Sequence, residues 1–239
     1  MIDRWQRQAA RGFAITTLLT LVLITIAYSR FYGPFLVWDH DVETARNFIA
    51  HEQLVHYYIA SAVVYGLGMI AVLTALYVVL KPISRGLALF AVFTRLVYVI
   101  MWFVGLLGLF SALRIIGGGG YLQVFEPERL QALAGLQLAS GWDAYYIGLT
   151  CYAIGWVLFS YLFFKSSYVP RALAGYGVLS ALFEGVCGFA YLNHRGFGAI
   201  VSVHWYEMPV VVFEVVLSVW ILVRGLRPPE SAKPMPAGN

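Results

Sequence analysis

Five histidines stand in the 239-residue chain at His40, His51, His56, His194 and His204. Imidazole is the side chain whose ordinary titration lies nearest neutrality, so each can give or take a proton under mild conditions. Several sit beside carboxylates. His40 lies inside Asp39-His40-Asp41, Glu52 and His56 are four apart, and His204 and Glu207 are three apart. On a helix, residues three or four apart share a face, so each of the last two pairs can act together. Such pairs suit general acid–base catalysis. Asp39, His40, Asp41, His56, His204 and Glu207 therefore form the candidate catalytic set, with Glu184 at the floor of a pocket. Trp38, Glu52, Tyr57, Trp142, Asp143, Tyr146 and Trp205 are the candidate lining of that pocket. A metal is the minority reading. His51-Glu52 followed by His56 spaces its histidines five apart, where the zinc-protease motif needs four. No cofactor is expected. The plainer reading of the same residues is a polar rim with an aromatic belt at the headgroup level.

Three further charges, Arg95, Glu184 and Glu214, fall inside apolar runs. An unpaired charge at mid-membrane costs about 2.5–3.5 kcal/mol on the insertion scale. Counted from Arg85 and from Arg224, Arg95 and Glu214 both lie about 15 Å deep at 1.5 Å per residue. Equal depth points to an ion pair, either a structural clasp or part of a proton or substrate path. Glu184, counted from Arg171, lies about 20 Å deep, and a carboxyl there is either protonated or faces a cavity.

The elements that must hold these groups follow from composition. Hydrophobic residues make up 61% of the chain and charged residues 12%, against about 45–50% and about 25% in soluble domains. Mean hydropathy is +0.76. A water-soluble globule, a disordered chain and a disulfide scaffold are excluded, which leaves a polytopic all-α membrane protein. Six runs are long enough to span a bilayer, near 10–29, 55–80, 86–113, 142–164, 171–192 and 207–224. Lys81-Pro82-Ile83-Ser84-Arg85 and Lys165 to Arg171 read as tight, helix-breaking links. A short amphipathic helix is expected over 43–52. An interfacial helix is expected in the segment between the third and fourth spans, starting at Pro127 and running to Ala139. Residues 1–226 form the six-helix transmembrane domain and 227–239 a disordered cytoplasmic tail.

Basic residues set the orientation. Arg4, Arg7, Arg11, Lys81, Arg85, Lys165, Arg171, Arg224, Arg227 and Lys233 fall on one side, and Arg30, Arg46, Arg114, Arg129 and Arg195 on the other. The richer side should be cytoplasmic, with both termini inside. These charges sit at helix ends and form no stripe with interleaved aromatics, so nucleic acid is not a partner. Cys151 and Cys187 lie in apolar runs and read as buried thiols. The run from Phe13 to Tyr28 lacks a small-x-small cleavage site, so it is expected to stay as a first helix. Gly117 to Gly120 precede no Lys-Ser or Lys-Thr and make no phosphate loop.

Three sets of residues carry a resemblance. They are Ala75 to Leu80 with Gly86-Leu87-Ala88 and Phe93-Thr94-Arg95, then Tyr161 to Leu173 through Lys165-Ser166-Ser167-Tyr168-Val169-Pro170, then Met208-Pro209 with Phe213-Glu214 and Val219 to Gly225. Over roughly residues 10–226 the chain resembles a bacterial family of six-helix integral membrane proteins known only as a domain of unknown function. The resemblance implies the fold. The outer His and Asp residues are not part of its pattern.

The expected function is that of a membrane-embedded enzyme acting on a lipid-like or isoprenoid substrate, by His/carboxylate chemistry in a pocket near the outer leaflet. Its partners would be the lipid bilayer and a hydrophobic small molecule, and its place a bacterial inner membrane. Two alternatives stand beside it: a small proton-coupled transporter using Arg95, Glu184 and Glu214, and a non-catalytic sensor or assembly protein.

Overall fold

Arg4 to Phe31 coil into α1, because a long and largely apolar run leaves the backbone no partner but itself in hydrocarbon. The computed structural model describes residues 2–38, 40–117, 120–122, 124–194 and 197–227, with the backbone alone at Tyr121, Gly198, Ala199 and His204. The remaining helices are α2 (Asp41–Ala50), α3 (Glu52–Leu80), α4 (Arg85–Ile116), α5 (Pro127–Ser166), α6 (Arg171–Asn193), α7 (Phe197–Ile200) and α8 (Val203–Arg224). The fold is all-helical: among the described residues 88% are in helix and none is in a strand. Among the described residues six helices are long and apolar enough to cross a membrane: α1, α3, α4, α5, α6 and α8. This is a multi-pass membrane protein, and its exposed side chains fit: Leu19, Leu67, Leu107, Leu179 and Val186 are all more than half exposed, where lipid rather than water would meet them.

The links follow their sequences. Lys81 to Ser84 turn α3 into α4, with Ile83 N–H donating to the Leu80 carbonyl at 3.0 Å. Ser167 ends α5 with φ 56°, a left-handed residue past a helix C-terminus. Pro170 then precedes α6, its fixed φ of −54° suiting a helix entry.

Two elements differ from the sequence reading. Residues 127–166 form a single helix of 40 residues, so the interfacial helix expected up to Ala139 is continuous with the fourth span. Within this helix Gly141 packs closely against α4. A Cβ at Gly141 would lie 3.3 Å from the Gly105 carbonyl oxygen, and one at Gly105 would lie 3.3 Å from the Gly141 oxygen. Glycine serves here for close approach of two backbones rather than for a turn. At 1.5 Å per residue α5 is about 60 Å long, twice the hydrocarbon thickness. The short helix expected over 43–52 spans Asp41–Ala50 instead, and His51 separates it from α3. The tail expected at 227–239 lies outside the described residues beyond Arg227.

The contacts divide the chain into two compact units, one of residues 1–18, 69–97 and 149–239 and one of residues 19–68 and 98–148. In the first, Phe13, Leu73, Leu76, Leu80, Trp156, Phe159, Phe163 and Phe213 are fully buried. In the second, Tyr32, Phe48, Val55, Tyr58, Ile59, Leu109, Leu113 and Leu138 make the core.

Candidate functional site

The first unit holds its charges at the centre. Arg95 on α4 is 0% exposed, and Glu214 on α8 is 4% exposed. Arg95 Nη2 lies 3.7 Å from Glu214 Oε1. That is ion-pair distance but longer than a hydrogen bond. Glu214 Oε1 is held by two other donors, both from α5. Tyr152 Oη donates to it, and Trp156 Nε1 donates at 2.7 Å. The same two rings carry the guanidinium: Arg95 Cζ lies 4.0 Å from the Tyr152 ring centre and 4.6 Å from that of Trp156. Cation–π contact of this kind is strongest on Trp and strengthens as water leaves.

Packing fixes this arrangement. Phe213, one residue before Glu214, meets Trp156 edge to face at 5.2 Å. Gly155 gives the Arg95 stem room to pass α5, and Gly177 gives Phe213 room against α6. Among the described residues, none accepts a hydrogen bond from Arg95 Nε, Nη1 or Nη2. The same holds for the buried hydroxyls of Ser160 and Ser218, and Glu184 Oε2 likewise has no hydrogen-bond partner among them.

Glu184 on α6 is 1% exposed and lies within electrostatic reach of Glu207, Glu214 and Arg95. Counted along the helices from the α4, α5, α6 and α8 ends near Arg85, Ser166, Arg171 and Arg224, the polar groups fall in order of depth. Ser160 and Ser218 come at about 9 Å, Arg95, Trp156 and Glu214 at about 15 Å, Glu184 at about 20 Å and Glu207 at about 25 Å. The sequence reading does not single out Tyr152 and Trp156 as site residues. One signal for them exists: Trp156 sits at the depth of Arg95 and Glu214, and Tyr152 one turn away on the same face.

The second unit holds most of the histidine and carboxylate set, and spreads it. A groove of about 810 Å³ runs between α2 and the first part of α5, lined by His40, Asp41, Glu43, Arg46, Asn47 and Leu136 among others. Its walls are tied. Thr44 Oγ1 donates to the Val37 carbonyl at 3.1 Å and accepts from Val37 N–H at 2.9 Å, and Arg46 Nε donates to Gln131 Oε1 at 2.9 Å. Of the candidate catalytic residues, His40 and Asp41 line this groove. His56 instead faces Glu52, with Nε2 3.5 Å from Oε1 and both side chains about half exposed. His51 stacks flat on Phe35 at 4.1 Å. Trp38, Trp142 and Tyr146 are brought together, with ring centres 5.6 Å and 6.4 Å apart along that series. Tyr57 pairs with Phe31 at 5.8 Å, away from them. Asp143 is exposed. Glu184, His204, Trp205 and Glu207 belong to the first unit, where Trp205 is 77% exposed. Asp39 and the His204 side chain lie outside the described residues. Among the described residues no three His, Cys, Asp or Glu side chains converge as a metal site would need.

No curated protein and no solved structure matches the chain. Residues 13–225 match the family described as domain of unknown function DUF4386. With nearly all of its membrane helices inside that match, the chain belongs to the DUF4386 family.

Proposed function

We propose that this protein is a small proton-coupled carrier, with Glu184 passing the proton and the Arg95–Glu214 pair forming the charged centre. The observation that carries the reading is Glu184 itself. It is a carboxyl buried in a membrane-spanning helix, with Oε2 unbonded among the described residues and other charged groups within reach above and below it. Ionisable groups are costly inside a membrane and mark ion and proton paths. A purely structural clasp would need only Arg95 and Glu214. The third carboxyl is surplus to it.

The test is solute-driven proton movement in liposomes holding the purified protein and the pH dye pyranine. A panel of small organic anions, cations and neutral solutes should include one that moves protons through the wild type and not through Glu184→Gln. Proton movement unchanged in that variant, or none with any solute, removes the reading.

The groove between α2 and α5 favours a second reading, an enzyme acting on a lipid-like or isoprenoid substrate. His40 and Asp41 would supply acid–base chemistry beside apolar Leu136 and Ala139. Mass spectrometry of lipid retained by the purified protein tests it. Retention and turnover unaffected by a His40→Ala/Asp41→Ala variant would end it. In either reading we place the protein in a bacterial inner membrane with both termini cytoplasmic, supported by the excess of Arg and Lys at the links and termini.

A further inference from the structure

Arg95 is a planar fork of N–H donors, and none is satisfied by a described residue. Its charge is balanced by Glu214 at 3.7 Å, but the Glu214 oxygen that faces it is already held by Tyr152 and Trp156. Ring contacts at 4.0 and 4.6 Å steady the guanidinium without using its N–H groups. A desolvated guanidinium in this condition is matched by a planar acceptor able to take two parallel N–H bonds, which is a carboxylate. A cation would be repelled by Arg95, and a neutral solute would leave the fork poorly matched.

Charge bookkeeping then sets the coupling. With Glu184 protonated, Arg95 and Glu214 sum to zero. A carboxylate arriving at Arg95 adds one negative charge in a medium where unbalanced charge is expensive. Neutrality returns if one proton arrives with it and lands on Glu214, which the incoming carboxylate has replaced as counterion. Glu184, which interacts electrostatically with Glu214, is the donor we assign. Its O–H bond breaks, an O–H bond forms on Glu214, and Glu184 regains a proton from the side of Glu207. The groups facing this exchange are Arg95 of α4, Tyr152 and Trp156 of α5, Glu184 of α6 and Glu207 of α8.

We infer that Arg95 is the substrate-binding residue for a small organic monocarboxylate, carried with one proton that Glu214 takes as the substrate displaces it. This deepens the carrier reading and rests on it.

The experiment is binding and uptake of radiolabelled benzoate by the full-length protein in lipid. Wild-type affinity should fall up to tenfold per pH unit where the coupling is complete, the mark of one proton per anion. Glu214→Gln leaves Arg95 without a charged competitor and should bind benzoate with no pH dependence and without proton movement. The charge-balanced Arg95→Met/Glu214→Gln variant, checked for a single folded peak in size-exclusion chromatography, should not bind. Benzoate binding that persists in the folded double variant overturns the assignment, as does a wild-type pH slope retained in Glu214→Gln. Proton movement with a cation such as tetraphenylphosphonium, or with a neutral sugar, but not with benzoate overturns the substrate class and leaves the carrier reading standing. No proton movement with any solute overturns both.

Discussion

Gly155 stands where the Arg95 side chain crosses α5: a Cβ at that position would lie 2.2 Å from Arg95 Cγ and 3.1 Å from the Ala91 carbonyl oxygen. One partner is the stem of a fully buried side chain and the other is backbone, so neither yields easily. Gly155→Ala should therefore destabilise the protein by about 1–3 kcal/mol, the usual cost of overpacking a core. On the scale of a 150–250-residue domain this is roughly 2–12 °C in melting temperature. Fluorescence-detected size-exclusion chromatography after heating reads the shift. An unchanged melting temperature would show that Arg95 does not pass there.

The ion pair makes a second prediction through a double-mutant cycle. Arg95→Met leaves Glu214 as a buried charge without its counterion, and Glu214→Gln does the same to Arg95. Removing one member of a buried pair costs about 3–5 kcal/mol, whereas replacing both by neutral groups is often close to neutral. The double variant Arg95→Met/Glu214→Gln should melt above either single variant, because the amide oxygen of the introduced glutamine can still accept from Tyr152 and Trp156. Melting of the double variant below both singles would show that the two charges do not stabilise each other.

Trp156→Phe keeps a ring beneath Arg95 but removes the donor that reaches Glu214 at 2.7 Å. Loss of a hydrogen bond to a charged group costs about 1.5–3 kcal/mol. Trp102→Phe in the second unit removes a neutral bond, from Nε1 to the Ala62 carbonyl at 3.0 Å, and should cost about 1 kcal/mol. Thermal melts of the two variants in one detergent check the order: the Trp156 variant should be the less stable.

Orientation is tested without any assay of activity. Green fluorescent protein fused after Asn239 should fluoresce, and alkaline phosphatase at the same place should stay inactive, since only a cytoplasmic C-terminus gives that pair of results. The opposite pair would reverse the proposed topology.

Some of this is readable in the chain and some is not, for a physical reason. Spans appear as unbroken apolar runs because hydrocarbon demands them, and their links appear because Pro82 and Pro170 cannot continue a helix as donors. Counting residues puts Arg95 and Glu214 at one depth, and they stand 3.7 Å apart. The face of each helix is another matter. In water a buried stripe is marked by polar residues opposite it. In lipid both faces are apolar, so hydropathy alone does not separate inward Tyr152 and Trp156 from outward Ile154 and Tyr161 in α5. A glycine that lets helices touch, as Gly141 does, carries the same letter as one that ends them. The groove residues His40 and Asp41 adjoin in sequence, but the separation of His56 from them depends on how α2 and α3 turn about His51.

The contact of Gly105 with Gly141 has a mechanical meaning. Where two helices meet through bare main chain, no rotamer can swing aside to let one slide past the other, so α4 and α5 are splinted together at that crossing. That crossing lies wholly within the second unit, so it fixes the register of these two helices there.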